Sequence, residues 1–323
     1  MKPSLALLAG VLMFFSLSPL AQTFPARSLT LIVPFAAGGP SDALARLIGQ
    51  SMSTTLGQSI LIENVTGAGG TVAAAKAAQA KADGYTLLLA HIGQAASVTL
   101  YRKLPYDPVG AFDTIGLIAE VPMVVVGRKD LPAKDLGELL VYIKANKDKV
   151  TYGNGGIGSA SHFCGLLFMS ALQADMTTVS YRGSAPAMLD VLGGRLDVLC
   201  DQTTTTNTHI RSGAIKGYGV TMKARAASLP ELPTLSEAGL RDFDLSVWYG
   251  LVAPKGAPKP AIDQLAAALR AAISDATVVK RLAEFGAQPV SQARATPETF
   301  AEFLRADVAK WAPVIKAAGA YAD

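Results

Sequence analysis

The same local recipe occurs three times along this chain: a glycine-rich turn, with a Ser, Thr or Asp where a helix begins. The stretches are VPFAAGGPSD (33–42), TGAGGT (66–71) and YGNGGIGSAS (152–161). In the first and third an apolar strand leads straight into the turn. Glycine lets the backbone turn sharply and lets a ligand approach its amides closely. Ser and Asp are N-cap types, and the first helical turn that follows carries unpaired N–H donors and a partial positive charge. A chain built this way is layered α/β with anion-seeking helix starts.

The rest of the sequence keeps that alternation. Short apolar runs read as strands at 29–35, 59–64, 85–91, 114–127, 150–153, 177–181, 196–201, 216–221 and 245–254, with amphipathic segments between them. Runs apolar on every residue fit strands covered on both faces. The C-terminal third turns mostly helical. The run at 114–127 is long for one strand and contains Pro122, which is expected to interrupt it. Together with 244–254 it offers two places where the chain could cross between domains. That implies a discontinuous first lobe, 22–124 plus 248–323, with a second lobe, 125–247, inserted in it.

Gly153-x-Gly155-x-x-Gly158 has the spacing of a dinucleotide fingerprint. Such a site also wants an acidic residue closing the next strand. Here TTVSY runs into Arg182-Gly183, and Asp175 precedes that strand. The spacing alone therefore carries no nicotinamide site, and an anion cradle fits the residues better. A simple strand-to-helix turn is the bland alternative.

The charge of +4 is mild and its cations are scattered, so no basic face points to nucleic acid. Residues 1–21 read as a secretory signal peptide: Lys2, an apolar run, then SPLAQ, with cleavage after Ala21. Pro19 stands where a small residue is usual, and an uncleaved anchor is the alternative. No later stretch has the length and apolarity of a membrane span. The three histidines show no ligand spacing, and no metal or cofactor is expected. In an oxidising compartment Cys164 and Cys200 are either bridged or two separate buried thiols.

The segments VPFAAGGPSDALAR, ENVTGAGGTVAAAKAAQAKADGYTLLL, GIGSASH, VSYRGSAPAMLDVLGGRLDV and WYGLVAPKGAP, in this order, resemble the extracytoplasmic solute-binding proteins of tripartite tricarboxylate transporters, the Bug family. The resemblance covers essentially the whole chain after the leader. It implies a type II periplasmic-binding-protein fold, two α/β lobes around a central ligand cleft, without catalysis. It also implies a monomer that captures a small di- or tricarboxylate in the periplasm and delivers it to membrane permease subunits. By position, Phe35, Gly39, Ser41 and Asp42 would form the first-lobe wall, flanked by Gly69, Gly70 and Thr71. Gly158, Ser159, Ala160 and Ser161 would form the second-lobe carboxylate cradle. Arg182 would lie at the edge with Gly183 and Ser184, and Asp201 at a strand end. Asp42 could equally be a plain N-cap, Arg182 a surface residue at the mouth, and Trp248 hinge packing.

One departure stands out. Where the family commonly has small polar residues after YTLLLA, this chain has His91. A strand-end histidine facing the cleft would reach the far end of a ligand, making longer or aromatic dicarboxylates such as terephthalate candidates. A satisfied core histidine is the alternative. His162 matches the family's SASH and reads as structural. Two competing functions remain: a solute sensor for a membrane signalling partner, and an exported hydrolase using Ser161 with His162. Adjacent residues on a helix point in different directions, which argues against the hydrolase pair.

Overall fold

The computed structural model describes residues 24–147, 149–241 and 243–322; the leader expected over 1–21 lies outside them. The chain opens with β1 (Leu29–Val33), α1 (Pro40–Leu56), β2 (Ile60–Asn64), α2 (Thr71–Ala78), β3 (Thr86–His91), α3 (Ile92–Leu100) and the long β4 (Phe112–Arg128). It continues through α4 (Leu136–Ala145), β5 (Thr151–Asn154), α5 (Ala160–Leu172), β6 (Thr177–Ser180), α6 (Ser184–Leu192), β7 (Val198–Gln202), α7 (Thr203–Arg211) and β8 (Ile215–Val220). It closes with β9 (Ser246–Pro254), α8 (Lys259–Ser274), α9 (Ala276–Glu284), β10 (Gln288–Pro289) and α10 (Pro297–Ala317).

Local chemistry sets the element ends. Helix α1 starts with Pro40 just inside it, where the missing N–H costs nothing, and stops at Gly57, whose φ of 68° suits glycine. Its apolar stripe, Leu44, Ala45, Ile48 and Met52, is buried against the sheet. Helix α9 is capped by Asp275, whose carboxylate accepts from the Thr277 and Val278 amides. Every residue of β7 is buried, as a strand covered on both faces requires.

The topology is two similar halves that share strand β4. In the first half β2, β1 and β3 run parallel, β9 pairs antiparallel with β3, and β4 pairs with β9. In the second half β6, β5 and β7 run parallel, β4 pairs antiparallel with β7, and β8 pairs with β4. The long antiparallel β4 thus belongs to both halves, its first part pairing in one and its last part in the other. Up to Pro122, β4 pairs with β9; from Met123 on it pairs with β7 and β8.

Pro122 does not interrupt β4, contrary to the expectation from sequence. It stands where the strand changes partners, opposite Ser246, so its missing N–H breaks no continuous ladder. Around it side chains complete the backbone: Met123 N donates to Thr221 Oγ1, and Thr221 Oγ1 donates to Leu245 O at 2.6 Å.

The C-terminal helices brace the first half. Trp248 of β9 packs edge-on against Phe300 and Phe303 of α10, and its Nε1 donates to Asp307 at 2.7 Å. Buried aromatics such as these are each worth roughly 1.5–3 kcal/mol of transfer free energy. In the second half, Cys164 of α5 and Cys200 of β7 form a disulfide. It anchors α5 to the strand whose end lies beside the helix's own N-terminus. Among the described residues no helix is long and apolar enough to cross a membrane.

Candidate functional site

Between the halves lies a small, partly open cleft. Its wall is made largely of helix beginnings. Gly39, Pro40 and Ser41 start α1; Ser159, Ala160 and Ser161 start α5; Ser184 starts α6; Gln202 precedes α7; His91 precedes α3. Phe35, Gly155, Val247 and Tyr249 complete the lining. No Lys or Arg is among these residues. Each helix start presents N–H donors without intrahelical acceptors and roughly half a positive charge. Helix starts gathered around one cleft with no cationic side chain in its lining suit an anion held by dipoles rather than cations.

The α5 corner is braced from within. Ser159 Oγ accepts from His162 N, as an N-cap does, and lies 3.0 Å from Ser161 Oγ. Ser161 Oγ accepts from Gly155 N at 2.8 Å, tying the glycine loop to the helix. His162 Nδ1 accepts from Gly158 N at 3.3 Å, and burial pushes this imidazole down to about 4. Ser161 and His162 are therefore both engaged with loop amides and form no nucleophile–base pair.

The cavity floor is a chain of hydroxyls and an amide. Gln202 Nε2 donates to Tyr249 Oη at 2.8 Å, and the same phenol pairs with Ser41 Oγ at 3.1 Å. This chain joins α1 and β9 of the first half to the end of β7 in the second. Burial raises the Tyr249 phenol to about 12, so it acts as a neutral donor and acceptor.

His91 is buried and neutral. Its Nδ1 accepts from Gly93 N at 3.0 Å, which leaves the imidazole proton on Nε2, and desolvation lowers its pKa to about 4. Phe35 packs edge-on against it at 4.9 Å. The ring lines both the main cleft and a second, smaller pocket, where it meets Gly69, Gly70, Thr71, Gln94 and Tyr106. At Gly70, φ is 102° and an added Cβ would come within 3.0 Å of His91 Nε2, so only glycine fits beside the ring.

Four residues expected at the site lie outside both linings. Asp42 sits under the first loop: burial raises its pKa, but hydrogen bonds from Arg46, Gly38 and Asn64 outweigh that and hold it low. Gly38 N and Arg46 Nε donate to its Oδ2 at 3.0 and 2.9 Å. Gly158 belongs to the loop that meets Gly69 across the mouth. Arg182 is exposed, and its carbonyl, not its guanidinium, reaches the other half by accepting from Ala36 N at 3.3 Å. Asp201 is buried one residue before Gln202, and desolvation raises it to about 6.

The lining also contains residues not assigned to the site by the resemblance: Pro40, Gly155, Gln202, Val247 and Tyr249. Pro40 and Gly155 belong to the two glycine loops already recognised. Tyr249 and Val247 come from β9, and only its pairing between β3 and β4 brings them here.

Two α/β halves that share β4, with a cleft lined by helix starts between them, have the architecture of a solute-binding receptor of the periplasmic-binding-protein class. Residues 44–320 match the tripartite tricarboxylate transporter family receptor, and the chain belongs to that family. Among solved structures it is similar to the periplasmic binding protein BugD, with 42% identity, TM-score 0.90, and coverage of 92% of this chain and 99% of that one. It is similar to MatC from Rhodopseudomonas palustris with bound malate, at 38% identity, TM-score 0.87, and coverage of 90% and 100%. A third likeness is to an R. palustris protein with adipate, at 33% identity, TM-score 0.87, and coverage of 92% and 98%.

Proposed function

We propose that this chain captures a small dicarboxylate in the periplasm and hands it to the permease subunits of a tripartite tricarboxylate transporter. The observation that carries this reading is the convergence of five helix N-termini on one cavity whose lining holds no cationic side chain. Dipoles and hydroxyls solvate carboxylates well and need no reorganisation. Malate and adipate in two similar structures support the same ligand class. One carboxylate lies against the starts of α5 and α1, and the far end reaches the Nε2–H of His91. The lobes, 22–124 with 248–323 and 125–247, close over it about the crossings in β4 and β9.

A thermal-shift screen followed by calorimetry tests this, with malate, adipate, terephthalate and the matching diamides. At 100 times Kd a true ligand stabilises the fold by about 2.7 kcal/mol. A dicarboxylate is expected to bind and its diamide to bind at least tenfold more weakly. Equal affinity for acid and amide, or no shift with any dicarboxylate, overturns the reading.

A further inference from the structure

One hydrogen bond across the mouth of the cleft turns on a single proton. Tyr101 closes α3 of the first half. Its Oη lies 2.8 Å from Ala68 O, in the loop before α2, and 2.9 Å from Ile157 O, in the glycine loop of the second half. A phenol has one proton and both neighbours are acceptors, so only one of them can be served fully. Burial raises the pKa of this phenol, which keeps its proton. Ala68 O is already supplied by Thr71, whose backbone N–H donates to it and whose Oγ1 donates to it at 2.9 Å. Ile157 O accepts from no other group among the described residues. The phenol proton therefore belongs to Ile157 O, across the mouth. The ring follows it: an added Cβ on Gly158 would meet Leu100 Cδ2 at 3.2 Å and Tyr101 Oη at 3.4 Å.

What holds Tyr101 in place comes from a distant part of the chain. Tyr101 has itself left the helix, with φ of −102° and ψ of 125°, so α3 alone does not fix where its side chain points. Helix α10 stops at Ala317, and Gly319, with φ of 59°, turns the chain so that Tyr321 and Ala322 run beside the end of α3. Ala322 N donates to Leu100 O at 2.8 Å, and Ala322 pairs with Tyr101 as an isolated parallel bridge. The Arg102 guanidinium lies over the Tyr321 ring, 5.2 Å from its centre. Both chain neighbours of Tyr101 are thus tied to the segment that follows α10.

We propose that Tyr101 is a latch that fastens the mouth over a captured ligand, and that residues 320–322 are the strap that aims it. This rests on the reading of the cleft as a dicarboxylate site that closes. Tyr101 stands outside the cleft lining, so it acts on the ligand only by holding the mouth shut. Tyr321 and Ala322 are positioning residues that act through Tyr101. A bond made once the mouth has shut governs release rather than capture.

The test uses radiolabelled malate or adipate, whichever binds in the screen. Calorimetry gives affinity, and a chase with unlabelled ligand gives the release rate. Tyr101→Phe keeps the ring beside Gly158 and loses only the donor. It should bind roughly 2- to 10-fold more weakly, with the whole loss in faster release. Ala322→Pro has no N–H for Leu100 O and should lose affinity in the same way. The double variant should be no weaker than the weaker single one, because the strap acts through the latch. Should Ala322→Pro fail to fold, Tyr321→Ala, at a position 43% exposed, takes its place in the cycle. Wild-type release in Tyr101→Phe, a loss carried by slower capture, or additive losses in the double variant overturns the inference. Absence of binding by every dicarboxylate fails the site reading itself and this inference with it, whereas binding with unchanged release in Tyr101→Phe fails this inference alone.

Discussion

Gly69 is the residue through which closure can be tested without touching the cavity lining on the α5 side. Its φ is 60°, and an added Cβ would overlap the Ile157 carbonyl and lie 2.7 Å from Gly158 Cα and 2.8 Å from Gly158 C. These are backbone atoms of the opposite half and cannot rotate away. In Gly69→Ala the halves must separate until these contacts reach the ordinary carbon–carbon distance of about 3.5 Å. That separation breaks the bonds across the mouth. The Tyr101 hydroxyl bridges Ala68 O at 2.8 Å and Ile157 O at 2.9 Å, and Ala36 N donates to Arg182 O at 3.3 Å. Losing two such bonds costs about 1–3 kcal/mol net, so affinity should fall roughly 5- to 150-fold. The strain of alanine at positive φ, about 1–2 kcal/mol, is present whether the mouth is open or closed. It therefore lowers the melting temperature of the free protein rather than the affinity. Gly213→Ala separates the two effects, because Gly213 has φ of 68° with nothing within 4 Å of its Cβ position. Calorimetry with malate or adipate should show weak binding only in Gly69→Ala, while both variants melt earlier than wild type. Wild-type affinity in Gly69→Ala would mean that the bound protein does not bring these loops together, and the closure argument would fail.

Ser161→Leu should lower dicarboxylate affinity at least tenfold while the protein stays folded, since it fills the α5 corner and removes the acceptor of Gly155 N; losing one bond to a charged group alone costs about 1.5–3 kcal/mol. His91 should contribute a neutral donor. His91→Ala should then weaken adipate more than malate at pH 6 and at pH 8 alike, by calorimetry, and a histidine contribution that vanishes between those values would show an imidazolium instead. The same depressed pKa makes a stability prediction: with about 4 in the fold and about 6.5 unfolded, the native state binds fewer protons in that window. His91 stabilisation is complete above pH 6.5 and lost as pH falls toward 4, so His91→Asn should flatten the melting-temperature slope over that range, and an unchanged slope would contradict the burial argument.

What the sequence made legible was local. A glycine turn followed by Ser159 or Ser41 announces a helix start because the cap and the turn are a few residues apart and answer to backbone geometry alone. The resemblance then supplied the order of those starts around a cleft. The floor of the cavity was not legible in the same way, because Tyr249 contacts Ser41 and Gln202 over separations of 208 and 47 residues. That contact depends on β9 being paired between β3 and β4, a choice no local pattern encodes. Pro122 shows the reverse error. A local rule forbids proline in a central strand, yet β4 runs through it because the strand has one set of partners before it and another after it. His91 divides the two kinds of information. Whether its ring faced the cleft or the core was left open, while its place at the end of an apolar strand was readable. Its charge was not, since the ring's neutrality comes from burial beside Phe35 and from the Gly93 amide that occupies Nδ1. The same holds for Asp42 and Asp201, two buried aspartates next to helix starts whose titration is pushed in opposite directions. Arg46 and Gly38 hold one ionised, and the apolar ladder of β4 leaves the other without a countercharge. Residue type and spacing place donors around a cleft; which of the acids beneath them stays charged is decided by packing from distant parts of the chain.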